Sequence, residues 1–118
     1  MKSEKDNSLS GAVIGAAIEV HKALGPGLLE SAYEECLCQE LMLRGIPFER
    51  QVALPVSYKG VTLNCVYVQD IVVDGQIILE LKAIEKVTDL HRAQLLSYLR
   101  LSDRWLGLLM NFHVEAMI

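Results

Sequence analysis

The chain has 118 residues, of which 52% are hydrophobic and 22% charged, and its formal net charge is −4. This length favours one cooperative unit with its own core and excludes two domains, so we expect a single domain over residues 1–118. The acidic balance excludes a broadly basic surface for nucleic acid, so positive charge for such a ligand must be local or come from a partner.

Targeting signals and disulfides are not indicated by the sequence. No apolar run reaches the length of a membrane span, and residues 1–10 lack the apolar segment of a secretory signal. The three cysteines, Cys36, Cys38 and Cys65, are odd in number and have no paired spacing, which is typical of small buried thiols. We therefore expect a cytoplasmic protein with no membrane partner.

Two helices are predicted first along the chain. Apolar residues at helical spacing predict a helix over residues 8–23, and the Gly-Pro-Gly run at 25–27 ends it. A second helix is predicted over residues 28–44, with Gly45 as its C-terminal stop. Leu29, Leu37 and Leu41 are expected on its apolar face.

Strands and one further helix complete the predicted order ααβββαβ. A strand ending near Tyr58 precedes a turn at Lys59-Gly60, and the next strands are predicted over residues 61–73 and 76–84. Thr88 or Asp89 is expected to cap a helix that reaches Leu101. The apolar run at 105–112 is typical of a buried strand. The pattern indicates an α+β fold.

The strongest chemical signal is Asp70 on one strand followed by Glu80-Leu81-Lys82 on the next. Alternate residues of a strand share a face, so Glu80 and Lys82 project together. Two carboxylates suit a hard cation such as Mg²⁺, and a lysine can orient a water for phosphodiester hydrolysis. The alternative interpretation is an ordinary cross-strand ion pair worth about 0.2–1 kcal/mol.

The register of the hairpin decides whether Asp70 shares a face with Glu80. A two-residue loop of Asp74-Gly75 would place the two carboxylates on opposite faces. A three-residue loop over residues 73–75 pairs Asp70 with Ile78 and keeps both carboxylates together. We therefore predict the three-residue loop or an equivalent bulge near Asp70.

Two helical patterns carry further polar residues. Gln94 and Tyr98 lie four apart on the third helix and can hydrogen-bond a phosphate or a water, although such a stripe is more often a solvated face. Gly27, Glu30 and Tyr33 form a G-x-x-E-x-x-Y pattern at the start of the second helix. There, the acid is favoured by the helix dipole whatever its role, and the tyrosine is compatible with a core position.

Seven runs of the sequence match one known family in the same order. They are IEVHK at 18–22, GLLESAY at 27–33, LPVSYKG at 54–60, DIVV at 70–73, ILELKA at 78–83, AQLLSYL at 93–99 and LGLLMNF at 106–112. In these runs the chain resembles the small bacterial and archaeal GxxExxY proteins, which are classed in the PD-(D/E)XK nuclease superfamily.

The resemblance implies a restriction-endonuclease-like core, which is a mixed β-sheet flanked by helices. It implies that Asp70 and Glu80 are metal ligands and that Lys82 is the catalytic lysine. By the same resemblance, Glu30 completes the metal shell, and Gln94 with Tyr98 forms the Q-x-x-x-Y element of RecB-like nucleases.

Together these observations favour a Mg²⁺- or Mn²⁺-dependent hydrolase that cleaves phosphodiester bonds in DNA, with RNA the less favoured substrate. The alternative is a nuclease-fold protein without catalysis that serves as an interaction or assembly module. The acidic charge, the apolar content and Val68, at a place where the family commonly carries a basic residue, favour that alternative. A homodimer and a subunit activated by a partner protein are compatible with both.

Overall fold

A computed structural model describes the backbone of residues 3–102 and 104–113, and their side chains except those of residues 3–7 and 64–66. The elements are α1 (Ser3–Leu24), α2 (Glu30–Leu43), β1 (Phe48–Tyr58), β2 (Val61–Val73), β3 (Ile77–Lys82), α3 (Asp89–Ser102) and β4 (Leu106–Asn111). The predicted order ααβββαβ and the α+β class are confirmed. The largest difference in bounds is at α1, which begins five residues before its predicted start.

The strands form one sheet in the order β1-β2-β3-β4. β1 pairs antiparallel with β2, and β2 pairs antiparallel with β3. At the far ends of β3 and β4, the Phe112 N–H donates to the Lys82 carbonyl over 2.8 Å. Because the C-terminal ends of β3 and β4 meet, these strands run parallel, and α3 is the crossover that parallel neighbours require. The sheet is therefore mixed, as a restriction-endonuclease-like fold requires.

Two compact units divide the chain. The helical unit comprises Met1–Pro47, Leu81–Glu85 and Met110–Ile118, and the sheet unit comprises Phe48–Glu80 and Lys86–Leu109. Both β3 and β4 contribute residues to each unit. No helix of the described residues is long and apolar enough to cross a membrane.

The core of the helical unit comes from one face of each helix and from the ends of β3 and β4. Its buried members on the helices are Val13, Ala16, Ala17, Val20, Tyr33, Leu37, Cys38 and Leu41, and those on or next to the strands are Leu81, Met110 and Phe112. The predicted face is right for Leu37 and Leu41 but wrong for Leu29, which is 77% exposed because it precedes the first residue of α2. Cys36 and Cys38 are free thiols, and the side chain of Cys65 lies outside the described residues.

Gly45 ends α2 as predicted. Its φ of +69° is a left-handed conformation that suits glycine. The Gly45 N–H donates to the Met42 carbonyl, and the Ile46 N–H donates to the Leu41 carbonyl over 2.9 Å. These two bonds form a Schellman motif, which satisfies carbonyls that the end of a helix leaves free.

The β1–β2 hairpin closes at Lys59-Gly60, where Tyr58 pairs with Val61. The β2–β3 hairpin has the odd loop that we predicted, but over residues 74–76 instead of 73–75, because Val73 pairs with Ile77. Asp74 and Gly75 adopt positive φ in a tight turn, and Gln76 is the additional residue. The loop still has three residues and is only displaced by one position along the chain. The same residues therefore share a face as predicted, whereas the residue across from Asp70 changes.

Helix α3 is held at its start and along its buried side. The Thr88 hydroxyl accepts from the His91 N–H, and His91 Nδ1 accepts from the Thr88 N–H over 3.0 Å, so the pair acts as a capping box. Leu95 is buried against Gly107 of β4, where an added Cβ would lie 2.7 Å from a Leu95 methyl carbon. These contacts position the helix that carries Gln94 and Tyr98.

Candidate functional site

Strands β2 and β3 bring the carboxylates of Asp70 and Glu80 together. Ile71 pairs with Leu79. One position further from the turn, Asp70 on β2 and Glu80 on β3 therefore lie across from each other. The Asp70 N–H donates to Oε2 of Glu80 over 3.3 Å. Both side chains therefore belong to one face of the hairpin, and our prediction of a pairing between Asp70 and Ile78 is wrong by two residues.

Glu80 is unusual because its side chain lies in an almost wholly buried strand. The residue is 7% exposed, and the five residues before Lys82 in β3 are all buried. Removing a carboxylate from water is costly unless hydrogen bonds or positive charge stabilise it. The bond from the Asp70 N–H is one such contribution, and a cation at the two carboxylates would be another.

Tyr98 of α3 is within electrostatic reach of both carboxylates. Its ring lies 5.4 Å from the ring of Tyr67, at a tilt of 50°. Burial raises the pKa of the Tyr98 hydroxyl above its ordinary 10.0, and electrostatic interactions with Glu80, Tyr67 and Asp70 raise it further. The hydroxyl thus stays protonated at neutral pH and can donate a hydrogen bond near the two acids.

Lys82 lies two residues after Glu80 and ends β3. Strand alternation places it on the same side of that strand as Glu80. Its backbone carbonyl accepts the Phe112 N–H, and the residue is half-buried. The position of the Lys82 side chain beside Glu80 stays a prediction.

Gln94 and Glu30 are both exposed to solvent. Gln94 lies one turn before Tyr98 on α3, and Glu30 is the first residue of α2. Glu30 belongs to the helical unit, whereas Asp70, Glu80 and Tyr98 belong to the sheet unit. The structure thus groups Asp70, Glu80 and Tyr98, and it leaves the assigned roles of Gln94 and Glu30 as predictions.

Tyr33 of the G-x-x-E-x-x-Y pattern has a clear structural role. Its buried hydroxyl donates to the Gly25 carbonyl over 2.6 Å and accepts the Leu28 N–H over 3.1 Å. Its ring stacks on Phe112, with 4.4 Å between the ring centroids. Tyr33 therefore fixes the Gly-Pro-Gly loop that joins α1 to α2.

Three residues near Asp70 carry features that our prediction of the site did not include. Gln51, in β1, adopts a φ of +51° at the position across from Asp70, between the pairs of Arg50 with Ile71 and Val52 with Gln69. This conformation is rare for residues other than glycine, asparagine and aspartate, so no sequence signal would have revealed it.

The second and third of these residues are Gln69 and Tyr67. Gln69 is 1% exposed, and neither polar atom of its side chain has a hydrogen-bond partner among the described residues. Its place directly before Asp70 in the sequence was a visible signal. Tyr67 supplies the ring against Tyr98, and its spacing of three residues from Asp70 gave no indication of that contact.

The donor set at Asp70 and Glu80 fits a small hard cation. Only oxygen ligands are offered, which is the preference of Mg²⁺ and Mn²⁺. Among the described side chains, no group of three or more His, Cys, Asp or Glu residues could hold a metal ion. Mg²⁺ is commonly bound through one or two carboxylates, with waters and substrate phosphates as its other ligands, so two acids are sufficient.

Comparison with known proteins supports one family. The family model of the PD-(D/E)XK nuclease superfamily matches residues 7–118, a range that includes every residue that we assigned to the site. No curated protein and no solved structure matches the chain. The match is made at the level of the superfamily, above the narrower GxxExxY group.

Proposed function

This chain belongs to the PD-(D/E)XK nuclease superfamily, and from that membership we propose that it is a metal-dependent nuclease that hydrolyses phosphodiester bonds in DNA. The observation that carries the proposal is the approach of Asp70 and Glu80 on neighbouring strands, with the Tyr98 hydroxyl in their field. An ordinary ion pair would not explain two acids beside each other, one of them buried.

Asp70 and Glu80 would hold Mg²⁺ or Mn²⁺ through their carboxylate oxygens. Once bound, the ion would polarise the phosphate and lower the pKa of a water. The Lys82 ammonium would hold the attacking water. As the water oxygen bonds to phosphorus, the bond from phosphorus to a deoxyribose oxygen would break, the water would lose a proton to solvent, and the leaving oxygen would take up a proton from solvent. Tyr98 and Gln94 would orient the phosphate by donating hydrogen bonds.

Glu30 has a proposed role only when substrate is bound. In the family pattern it is the third acid of the metal shell, and here it lies exposed at the N-terminus of α2. We propose that Glu30 acts only in the complex with substrate. The compartment that we propose is the cytoplasm, where the free thiols of Cys36 and Cys38 would persist.

A second candidate is a nuclease-fold assembly module without catalysis. Val68, two residues before Asp70 on β2, is 45% exposed, and it supplies no positive charge for a phosphate. The formal net charge of −4 also opposes tight binding of DNA without a partner. These observations favour either this module or a subunit that a partner protein activates.

Calorimetric titration of Mg²⁺ and Mn²⁺ tests the metal site directly. The natural chain should bind at millimolar metal or tighter, and Asp70→Asn and Glu80→Gln should each abolish the binding. Asp74→Asn is the matched control, because its exposed carboxylate lies in the loop between the same strands and accepts from Gln76 Nε2. Equal losses in all three variants would indicate unspecific attraction by negative charge.

A cleavage assay on single-stranded DNA, duplex DNA and RNA then tests the reaction. Lys82→Ala should retain metal binding and lose cleavage, since the lysine acts on the water and not on the ion. Cleavage that survives both Glu80→Ala and Lys82→Ala would contradict the proposed function. Failure of the natural chain to bind metal, even with DNA present, would favour the assembly module.

A further inference from the structure

The end of β3 that carries Lys82 is held by the end of β4. The Phe112 N–H donates to the Lys82 carbonyl over 2.8 Å. The Asn111 side chain binds both backbone groups of Ile84: its Oδ1 accepts the Ile84 N–H over 3.2 Å, and its Nδ2 donates to the Ile84 carbonyl over 2.9 Å. All four residues belong to the helical unit. Three hydrogen bonds from residues 111 and 112 therefore fix the chain on both sides of Ala83.

An asparagine side chain is suited to this place because β4 ends at Asn111. A residue in a β-ladder both donates and accepts through its backbone, and the primary amide of asparagine carries the same two kinds of group. The amide therefore continues the pairing where the strand ends. Oδ1 also accepts the His113 N–H over 3.2 Å. Because the oxygen accepts from two N–H groups, the NH2 group must face the Ile84 carbonyl, and the orientation of the amide is unambiguous.

Lys82 needs such support because it is the last residue of β3. The five residues before it are buried, whereas Lys82 and the two residues after it are half-buried. Strand ends with few buried contacts open more readily than strand centres. The residue to which the proposed mechanism assigns the attacking water thus lies where the chain leaves the sheet. That mechanism gives no other role to the run LGLLMNF at 106–112, which ends with Asn111 and Phe112.

We propose that Asn111 is a positioning residue, which fixes the backbone of Lys82 so that its ammonium meets the attacking water. This inference rests on the proposed function, and it concerns a residue outside the set of metal ligands and hydrogen-bond donors described there. The lysine side chain has a flexible four-carbon stem, so the place of its ammonium depends first on the place of its backbone. A misplacement of about 1 Å at a reacting group can lower a rate on the order of a hundredfold.

Amide hydrogen exchange tests the support without any assay of activity. Asn111→Ala removes both bonds to Ile84 and leaves the Phe112 N–H with its own acceptor, the Lys82 carbonyl. The Phe112 amide therefore reports whether Lys82 keeps its place. In Asn111→Ala it should exchange faster by on the order of tenfold relative to the Leu41 amide in α2, because the end of β3 opens while the helix does not.

Val13→Ala is the matched control for a general loss of stability. Val13 is fully buried in α1 of the same unit, and its truncation costs stability without removing a bond to residues 82–84. In this variant the Phe112 and Leu41 amides should change together. A Phe112 amide that exchanges equally in the natural chain and in Asn111→Ala would overturn the proposal.

Cleavage kinetics on DNA then test what the support is for. Asn111→Ala should lower kcat by about tenfold to a hundredfold and leave KM unchanged, because Lys82 acts on the water. Asn111→Asp keeps both accepted bonds and loses only the donated one, so its kcat should lie between those of the natural chain and Asn111→Ala. Val13→Ala should keep the natural kcat at a temperature well below its unfolding.

Two kinetic outcomes would overturn the positioning role: an unchanged kcat in Asn111→Ala, or equal losses in Asn111→Ala and Val13→Ala. If Asn111→Ala does not fold, as judged by circular dichroism, Asn111→Asp provides the same two measurements. A natural chain that cleaves no DNA would contradict the proposed function alone, and the exchange of the Phe112 amide would still decide whether Asn111 holds Lys82.

Discussion

The helical unit and the sheet unit treat their buried polar groups in opposite ways. In the helical unit, the Tyr33 hydroxyl both donates and accepts, and the Asn111 side chain bonds to the N–H and the carbonyl of Ile84. In the sheet unit, Gln69 is buried and neither polar atom of its side chain has a hydrogen-bond partner among the described residues. Every buried side-chain atom without a partner, among the described residues, belongs to the sheet unit.

This difference separates residues that stabilise the fold from residues that are retained despite a cost. Fully paired polar groups rigidify a structure, whereas unpaired or strained ones are unfavourable and are typical of functional sites. Here the unpaired side chain of Gln69 lies on β2 beside Asp70, and the strained backbone of Gln51 lies on the neighbouring strand β1. The comparison therefore supports the sheet unit as the location of function.

The largest effect is expected at Glu80. Glu80→Gln keeps the size of the side chain and removes the negative charge, so the cleavage rate should fall on the order of a hundredfold or more. The free energy of unfolding should stay equal or rise, because a buried charge is removed. Glu49→Gln, an exposed acid on β1, is the control. A parallel loss of stability and activity in Glu80→Gln would make Glu80 a structural residue.

Tyr33→Phe tests the helical unit. It removes only the hydroxyl and leaves the Leu28 N–H and the Gly25 carbonyl without that partner, so urea unfolding should show a loss of about 1–3 kcal/mol. Tyr58→Phe, at a tyrosine 60% exposed, should change the free energy of unfolding by less than about 0.5 kcal/mol. If both variants lose equally little stability, the hydrogen bonds of the Tyr33 hydroxyl do not stabilise the helical unit, and the proposed difference between the two units is wrong.

Gln69→Met should raise the free energy of unfolding, whereas Tyr33→Phe should lower it. Methionine has a similar shape and no polar atoms that need hydrogen bonds, so the free energy of unfolding should rise by about 1 kcal/mol. Gln39→Met on the exposed side of α2 is the control, and it should be nearly neutral. A loss of stability in Gln69→Met would show that the buried amide is satisfied in solution.

The smallest effect is expected from Tyr98 at alkaline pH. Burial and the nearby acids raise its pKa in the folded state, so the folded chain keeps the proton after the unfolded chain, which titrates near 10.0, has lost it. The resulting stabilisation is complete below pH 10.0 and is lost as the pH rises through the folded-state pKa. Unfolding curves of Tyr98→Phe should lack this decline.

The same titration can be followed by ultraviolet absorbance, which reports the ionisation of tyrosine. In Glu80→Gln, the pKa of Tyr98 should fall toward 10.0, because one of the negative charges that raise it is gone. An unchanged Tyr98 titration in that variant would separate Tyr98 from the candidate site.

The sequence predicted the element order because helices, strands and turns have local causes. The odd hairpin loop was predicted from the requirement that Asp70 and Glu80 share a face, and the mixed sheet from the family resemblance. Periodicity identifies helices and strands, Asp74-Gly75 specifies a tight turn, and Gly45 specifies a helix end. Asp70, Glu80 and Lys82 were recognised because charged residues are conspicuous in apolar strands. These features need no knowledge of distant contacts.

Other features depend on packing between distant residues, which the sequence does not encode locally. The strain at Gln51 is visible only in the pairing of β1 with β2. The contact of Tyr67 with Tyr98 joins residues far apart in the chain. The exact loop position was wrong by one residue because several registers of equal parity satisfy the same pattern of polar and apolar residues.

The loop over residues 74–76 has a consequence for how this chain can diverge. Because strand side chains alternate, insertion or deletion of a single residue there would exchange the faces of all later β3 residues relative to β2, and would separate Asp70 from Glu80. A change of two residues would restore the arrangement. The length of this solvent-exposed turn should therefore vary among descendants in steps of two, even where its residue types drift freely.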